Sequence, residues 1–192
     1  MALVYLFHLA FYALFLLRLA DRERPPGPEA PPAAPAPAAA HPVRLVMLHS
    51  LAFAVLYFGL GRAVWSRHPT RLLFASHPVL GGAVMLAAAG LLAWALLVFR
   101  SWRLLARIEK GHQLCTTGPF RLVRHPIYLA FTLLAVGTFL WVPTVLVLVG
   151  VVLVALTGDL RARAEERLLC DVFGDEYRAY QRRVARTVPG VY

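Results

Sequence analysis

The chain has 192 residues, of which 59% are hydrophobic and only 16% carry a charged side chain. A soluble domain of this length has too little interior to cover so much apolar surface, so the composition excludes an ordinary soluble fold. The formal net charge of +10 could suggest nucleic-acid binding, but the basic residues flank apolar runs and form no recognition motif, so no nucleic-acid partner is expected.

Five apolar runs are candidates for membrane-spanning helices, because a helix needs about 20 mostly apolar residues to cross a hydrocarbon layer roughly 30 Å thick. The runs cover residues 1–20, 43–61, 79–99, 126–142 and 144–158. Only Pro143 separates the last two, and a proline cannot continue a helix without losing a hydrogen bond. The pattern predicts an all-α integral membrane protein with about five transmembrane helices. The last two would form a tight helical hairpin, followed by a C-terminal cytoplasmic helical segment.

Composition divides the chain into three regions. Residues 1–21 are predicted to form an N-terminal transmembrane helix, residues 22–42 a linker rich in proline and alanine, and residues 43–192 a membrane domain. Proline at the density found in the linker removes backbone donors and favours extended geometry, so the linker is predicted to be semi-rigid.

The distribution of lysine and arginine predicts how the protein is oriented. Cytoplasmic connections usually carry more basic residues than external ones. If the connection between the second and third spans is outside, all but three of the 20 basic residues are inside. The prediction is therefore a multi-pass protein with an external N-terminus and a cytoplasmic C-terminus.

The fourth run is preceded by a basic segment, residues 100–110, which is predicted to lie along the inner membrane surface near anionic lipid. The chain then re-enters the membrane. Proline suits the first turn of a helix, so a helix should begin at Pro126 with His125 at its mouth. The free amides of that turn, with Arg121 and Arg124, would bind a carboxylate or phosphate. Ordinary interfacial arginines are the alternative interpretation.

Charged residues follow the fifth run. Helical spacing brings Arg161 near Glu165 and Arg163 near Glu166, so a self-neutralising surface helix is one interpretation. The other is that the two glutamates at a membrane boundary bind a cation or an ammonium group.

A short hairpin should return its two ends to the same side of the membrane. That geometry predicts Arg124 and His125 close to Glu165 and Glu166, in one cytoplasmic pocket with a basic and an acidic end. The tail beyond, where acidic and aromatic residues alternate, is predicted either to lie on the membrane or to form a lid.

From residue 117 onwards, the chain carries a series of motifs. The series is Thr-Gly-Pro-Phe-Arg at 117–121, Arg-His-Pro at 124–126 with Tyr128, an apolar hairpin, the pair Glu165 and Glu166, and Phe-Gly at 173–174 followed by Tyr177, Tyr180 and Pro189. In this order and spacing the motifs resemble the isoprenylcysteine carboxyl methyltransferase family and the related membrane phospholipid methyltransferases. The resemblance covers about residues 77–192.

The resemblance implies that S-adenosylmethionine binds at the cytoplasmic face, within residues 112–192, between the last two helices and the C-terminal segment. The implied cofactor-binding residues are His125, Tyr128, Glu165, Glu166, Arg121, Gly118 and Pro119. The implied catalytic residues are Arg124 and Glu166, with Arg124 and Arg121 close to the reacting end. The implied reaction requires no metal.

The function implied is methyl transfer to a lipophilic small molecule, or to a lipid-linked carboxylate, thiol or amine, with the acceptor pocket formed by the upstream spans. Membrane lipids are the expected surroundings, and the sequence identifies no protein partner. Two alternatives stay open. One is a membrane reductase using NADPH, since sterol reductases resemble the C-terminal hairpin, and the other is a non-enzymatic scaffold whose proline-rich linker recruits a partner.

Overall fold

The structure is a computed structural model that describes residues 2–22, 43–65, 72–99 and 114–190. Its described part contains five α-helices, as the sequence predicts in kind. They are α1 (Ala2–Arg22), α2 (Val43–Trp65), α3 (Pro78–Val98), α4 (Pro126–Trp141) and α5 (Val145–Arg183). A 3₁₀ turn, Gly118–Arg121, precedes α4. Residues 23–42 of the predicted linker and the predicted basic segment 100–110 lie outside the described residues.

Three of the helices, α2, α3 and α5, are long and apolar enough to cross a membrane, whereas the apolar parts of α1 and α4 are shorter. The outer surface of α2 is apolar, with Met47, Leu51 and Phe58 exposed. Such a surface suits contact with lipid. The all-α membrane fold therefore agrees with the prediction, and the count of five crossings stays a prediction.

Helix α5 extends much further than its apolar run. The run ends at Gly158, but the helix continues from Asp159 to Arg183 and has 39 residues in total. At 1.5 Å per residue the part before Gly174, residues 145–173, is about 44 Å long, well beyond the roughly 30 Å of the hydrocarbon layer, so its charged second half extends beyond the apolar segment. Gly174, with φ 52° and ψ −123°, interrupts the helical geometry.

Glycines allow the helices to approach closely. A Cβ on Gly81 of α3 would lie 2.6 Å from the carbonyl oxygen of Gly137 on α4, and a Cβ on Gly150 of α5 would lie 2.7 Å from Cα of Leu56 on α2. Small residues at such crossings are how helices pack tightly when lipid supplies no hydrophobic driving force. These contacts fix α3 against α4 and α2 against α5.

A buried histidine joins α1 to the rest of the bundle. Nε2 of His8 lies 2.8 Å from the hydroxyl of Thr138, and the Tyr57 hydroxyl lies 2.7 Å from Nδ1. The Thr138 hydroxyl donates to the carbonyl of Leu134 at 2.8 Å, so its oxygen accepts the proton on Nε2, and Tyr57 donates to Nδ1. Both ring nitrogens of His8 are therefore paired.

Candidate functional site

The site is built around the start of α4. Pro126 is the first helical residue and His125 caps the helix with φ −125° and ψ 64°, as predicted. The turn before α4 packs closely on α3 at Gly118. A Cβ at this position would lie only 2.8 Å from the side chain of Val98, and the φ of +58° is also one that glycine adopts most easily. The backbone amide of His125 donates to the carbonyl of Arg186 at 3.0 Å, which attaches the tail after α5 to the mouth of α4.

The buried carboxylate of Glu166 links the start of α4 to the segment after α5. Oε1 of Glu166 accepts from Nε of Arg124 at 2.8 Å and lies 2.7 Å from its terminal nitrogen, while Oε2 lies 3.0 and 2.9 Å from two nitrogens of Arg186. Arg124 also donates to the carbonyls of Gln181, at 3.0 Å, and Val184. Glu166 is 5% exposed, so these bonds are shielded from water and strengthened by the low local dielectric.

His125 lies between the two glutamates. Its Nδ1 is 3.3 Å from Oε2 of Glu165 and its Nε2 is 3.3 Å from Oε1 of Glu166. A neutral imidazole would turn a lone pair towards one of these carboxylates, so the arrangement favours the doubly protonated ring. Tyr128 donates its hydroxyl proton to Glu165.

The electrostatics of this pair agree with its geometry. Burial acts to lower the pKa of His125, but hydrogen bonds and charges from Glu165 and Glu166 outweigh it, and the pKa is raised. Burial acts to raise the pKa of Glu166, but hydrogen bonds from His125, Arg186 and Arg124 lower it to about 2. The histidine is thus held as a cation and the glutamate as an anion.

Next to this cluster is a cavity of about 520 Å³, within the range of roughly 300–1,000 Å³ usual for small-molecule sites. Its wall combines charged groups with aromatic rings. The charged residues in the wall are Arg124, His125, Arg161 and Glu165, and the aromatic ones are Tyr12, Phe15, Phe53, Tyr57, Phe99, Phe120, Tyr128, Phe131, Phe173, Tyr177 and Tyr180. Residues of α1 and α2 therefore share the cavity wall with residues of α4 and α5.

Four buried polar atoms around this cavity have no hydrogen-bond partner among the described residues: Nε2 of His49, Nε2 of His125, Nε of Arg161 and the hydroxyl of Tyr177. Nε2 of His125 has Glu166 as an ion-pair partner, so the other three are left without either contact. Buried polar groups are nearly always paired, because an unpaired group loses its bonds to water without replacement. Their concentration at one cavity leaves these groups available to a bound ligand or to water.

The interpretation of this segment as a self-neutralising surface helix, one of the two left open by the sequence, is wrong. Arg163 pairs with Asp159 at 2.6 Å, while Arg161 is 7% exposed and its guanidinium carbon lies 5.2 Å from the centre of the Tyr128 ring. Glu166 pairs with Arg124 and Arg186 instead of Arg163. The reason is burial: α5 turns Glu166 inward, where only partners from other segments can reach it.

The structure brings five of the predicted site residues together: Arg124, His125, Tyr128, Glu165 and Glu166. Four of these line the cavity, whereas Glu166 does not and contacts it through Arg124 and His125.

The other three predicted residues lie elsewhere. Arg121 is exposed at the end of the 3₁₀ turn, and Gly118 and Pro119 belong to that turn without lining the cavity. Their direct contact with a cofactor stays a prediction.

Sequence reasoning missed three residues of the site: Arg186 as a partner of Glu166, Arg161 as a cavity residue, and His49. No local pattern marks Arg186, because 20 residues separate it from Glu166. A usable signal existed for His49, since an ionisable residue within an apolar spanning run usually has a functional or structural partner.

Comparison with known proteins places this geometry in context. The family model described as phospholipid methyltransferase matches residues 76–176, which include α3, α4 and most of α5. The chain is 38% identical over 79 residues to methanethiol S-methyltransferase 1 of Bradyrhizobium diazoefficiens, which covers 36% of this chain and 24% of that protein. It is 39% identical over 83 residues to the protein-S-isoprenylcysteine O-methyltransferase of Saccharomyces cerevisiae, covering 42% of this chain and 34% of that protein. The matches thus span between a quarter and about a third of the length of these curated relatives.

Proposed function

Because the chain belongs to the phospholipid methyltransferase family, we propose that it is a membrane methyltransferase that takes its methyl group from S-adenosylmethionine and transfers it to a lipophilic acceptor. The observation that carries the proposal is the cavity, in which a charged cluster and an aromatic wall surround three buried polar atoms that have neither a hydrogen bond nor an ion pair in the described part of the chain. An amphiphilic cationic cofactor and an apolar acceptor need both kinds of surface.

The residues of the cavity fit this cofactor. Arg161 is a buried cation with no carboxylate partner in the described ranges, so it would hold the carboxylate of the cofactor. Glu165 lines the cavity and its side chain is 23% exposed, so it would hold the ammonium group. The rings of Tyr128 and Tyr177 would face the sulfonium charge. The bound cofactor supplies an electrophilic methyl group.

The chain itself contributes binding, orientation and exclusion of water. Displacement at a methyl carbon requires the attacking atom in line with the leaving group, so rigid positioning is the main contribution of the residues. Glu166 fixes Arg124 and His125, which form part of the wall, and the tail after Gly174 brings Tyr177 and Tyr180 against it. The aromatic rings keep water away from the acceptor.

We also propose that α4 and α5 form a membrane hairpin and that the cavity opens towards the cytoplasm. Support comes from the short connection of residues 142–144 and from the concentration of basic residues on that side of the predicted topology. In the same scheme, residues 1–21 are a first span and residues 43–192 the enzymatic domain.

Calorimetry on the purified full chain in detergent tests the cofactor. We expect saturable binding of S-adenosylmethionine, weakened at least tenfold by Glu165→Gln, which removes the anionic partner of an ammonium group. Asp175→Asn is the matched control, because its carboxylate is 98% exposed and lies outside the cavity wall. Saturation by NADPH with no binding of S-adenosylmethionine would replace this proposal with the reductase.

A radiolabelled transfer assay on membrane extract then identifies the acceptor. We expect label in an apolar fraction, lost when the methyl donor is replaced by its demethylated product. Cofactor binding with no labelled product from any membrane fraction would refute transfer to a lipophilic acceptor.

A further inference from the structure

His49 lies on α2, outside the segment that matches the family model, yet its ring forms part of the cavity wall. It is 5% exposed, and its ring centre lies 5.3 Å from that of Phe53, 5.5 Å from Phe131 and 6.2 Å from Tyr128. All three contacts are edge-to-face. The imidazole is therefore fixed in orientation among aromatic rings.

The hydrogen bonds of His49 determine which nitrogen carries the proton. Nδ1 lies 2.8 Å from the hydroxyl oxygen of Thr157. That hydroxyl has a single proton, which it donates to the carbonyls of the preceding turn, 2.7 Å from Leu153 and 3.3 Å from Val154. Its oxygen is left to accept from Nδ1. The proton of the neutral ring is thus on Nδ1, and Nε2 carries a lone pair with no partner in the described part of the chain.

His8 shows that this bundle can pair both nitrogens of a buried histidine. It bonds Thr138 through Nε2 and Tyr57 through Nδ1, and it does not line the cavity. His49 uses the same device, a threonine that fixes one nitrogen, but its second nitrogen has no partner within residues 2–22, 43–65, 72–99 and 114–190. The difference between the two histidines is found at the cavity.

We propose that Nε2 of His49 accepts the proton of the methyl acceptor, and that this acceptor is a thiol on an apolar chain. This inference rests on the proposed methyltransferase function. An aromatic chamber favours the neutral S–H form, and only the thiolate is an effective nucleophile. The cysteine thiol has a pKa of about 8.5 in water and an alkanethiol is a weaker acid, so the acceptor needs a base at neutral pH.

Other acceptor groups fit less well. A carboxylate is already ionised, needs no base, and would turn its oxygens towards the lone pair of Nε2. An aliphatic hydroxyl is a much weaker acid than a thiol, so its proton is harder for an imidazole to take. An ammonium acceptor would place a second positive charge beside the sulfonium donor, so the thiol is the group that best matches a neutral imidazole base.

The transfer balances in atoms and charge. The S–H proton moves to Nε2, the thiolate sulfur forms a bond to the methyl carbon of the sulfonium donor, and the bond from that carbon to the sulfonium sulfur breaks. Two neutral thioethers and an imidazolium result. Arg161 of α5 and Tyr128 of α4 face His49, and Tyr12 of α1 lies beyond Phe53. The positive charge of Arg161 favours the thiolate and disfavours the imidazolium, and the carboxylate of the bound cofactor would offset that charge.

The kinetic test uses the full chain in detergent with S-adenosylmethionine and decanethiol. We expect His49→Gln to lower kcat/KM for decanethiol by about 10²–10⁴-fold, the usual contribution of a general base. The residual rate should rise about tenfold per pH unit below the pKa of the thiol, because the solution must then supply the thiolate, while the wild-type profile is flatter. His8→Gln, a matched buried-histidine variant, should keep kcat/KM within about threefold.

A binding test without the methyl donor gives a second readout. Decanethiol can donate to Nε2 and methyl decyl sulfide cannot, so the wild type should bind the thiol roughly two- to tenfold more tightly by calorimetry. His49→Leu should bind both equally, while S-adenosylmethionine binds both proteins alike.

The results of these tests distinguish failure of the His49 assignment from failure of the proposed methyltransferase function. Wild-type rates in His49→Gln, methylation of decanoic acid but not decanethiol, or equal loss of cofactor binding in both His49 variants would overturn the assignment of His49. Absence of cofactor binding by the wild-type chain would instead overturn the methyltransferase itself.

Discussion

Replacing Glu166 with glutamine tests whether the buried carboxylate holds the site together. The change preserves volume but removes the charge and exchanges one acceptor oxygen for an NH₂ group. Whichever way the amide turns, that group meets the guanidinium of Arg124 or Arg186, which contact the two carboxylate oxygens at 2.7–3.0 Å. The two arginine side chains, 9% and 16% exposed, would lose their shared counter-charge.

The expected cost follows from this burial. Breaking a buried ion pair by removing one partner costs about 3–5 kcal/mol, because Arg124 would stay out of water with no carboxylate partner among the described residues, whereas Arg186 keeps Asp159 at 3.2 Å. For a chain of this size, each kcal/mol lowers Tm by roughly 2–4 °C, so the melting temperature should fall by roughly 6–20 °C. Local unfolding should begin at residues 184–186, because Arg124 and Arg186 attach this segment to the start of α4.

Thermal unfolding and limited trypsin digestion in detergent measure the two effects. We expect a lower Tm and faster cleavage after Arg182 and Arg183 in Glu166→Gln. Asp175→Asn makes the same chemical change on the same helix at a carboxylate that is 98% exposed, and should leave both unchanged. If the two variants melt within about a degree of each other, the cluster does not stabilise the fold and this reasoning is refuted.

Three further predictions follow from single contacts. Folding raises the pKa of His125, so the protonated imidazole stabilises the fold fully below about pH 6.5, and this stabilisation is lost as the pH rises through the pKa of the folded state. Tm should therefore fall from pH 6 to pH 9 in the wild type and change less in His125→Gln. Tyr177→Phe removes a buried hydroxyl that has no partner in the described structure and should keep or raise Tm while weakening cofactor binding. Tyr180→Phe removes the hydroxyl that donates to the carbonyl of Phe120 at 2.5 Å, so it should lower the free energy of unfolding by about 1–3 kcal/mol in chemical denaturation. If Tyr177→Phe and Tyr180→Phe changed stability equally, both predictions would be contradicted. Gly137→Ala should lower Tm because its Cβ would lie 2.7 Å from a backbone oxygen of α3, whereas Gly90→Ala, with open space around it, should not; comparable melting of the two would argue against the close helix crossing.

Much of the local structure follows from the sequence. Proline at position 126 fixes the start of α4 because its ring suits only the first turn, and the lengths of the apolar runs predict helices that can span a membrane. The proximity of Arg124 and His125 to the two glutamates was also predictable, since a short connection between consecutive helices leaves few alternative placements. The resemblance to membrane methyltransferases depended on the same short motifs.

The partners of individual charges were decided by tertiary structure. Arg161 and Glu165 stand at a spacing that permits a surface pair, yet the rotation of α5 buries the arginine in the cavity wall and turns the glutamate towards Tyr128. Helical spacing fixes which residues share a face of one helix, but burial of that face depends on the neighbouring helices. Which nitrogen of His49 carries the lone pair depends likewise on a threonine 108 positions away. Sequence by itself determined the helices and the motif-bearing end of the site, while the packing of α1 and α2 against α4 and α5 determined the shape of the cavity and which polar atoms are left for a ligand.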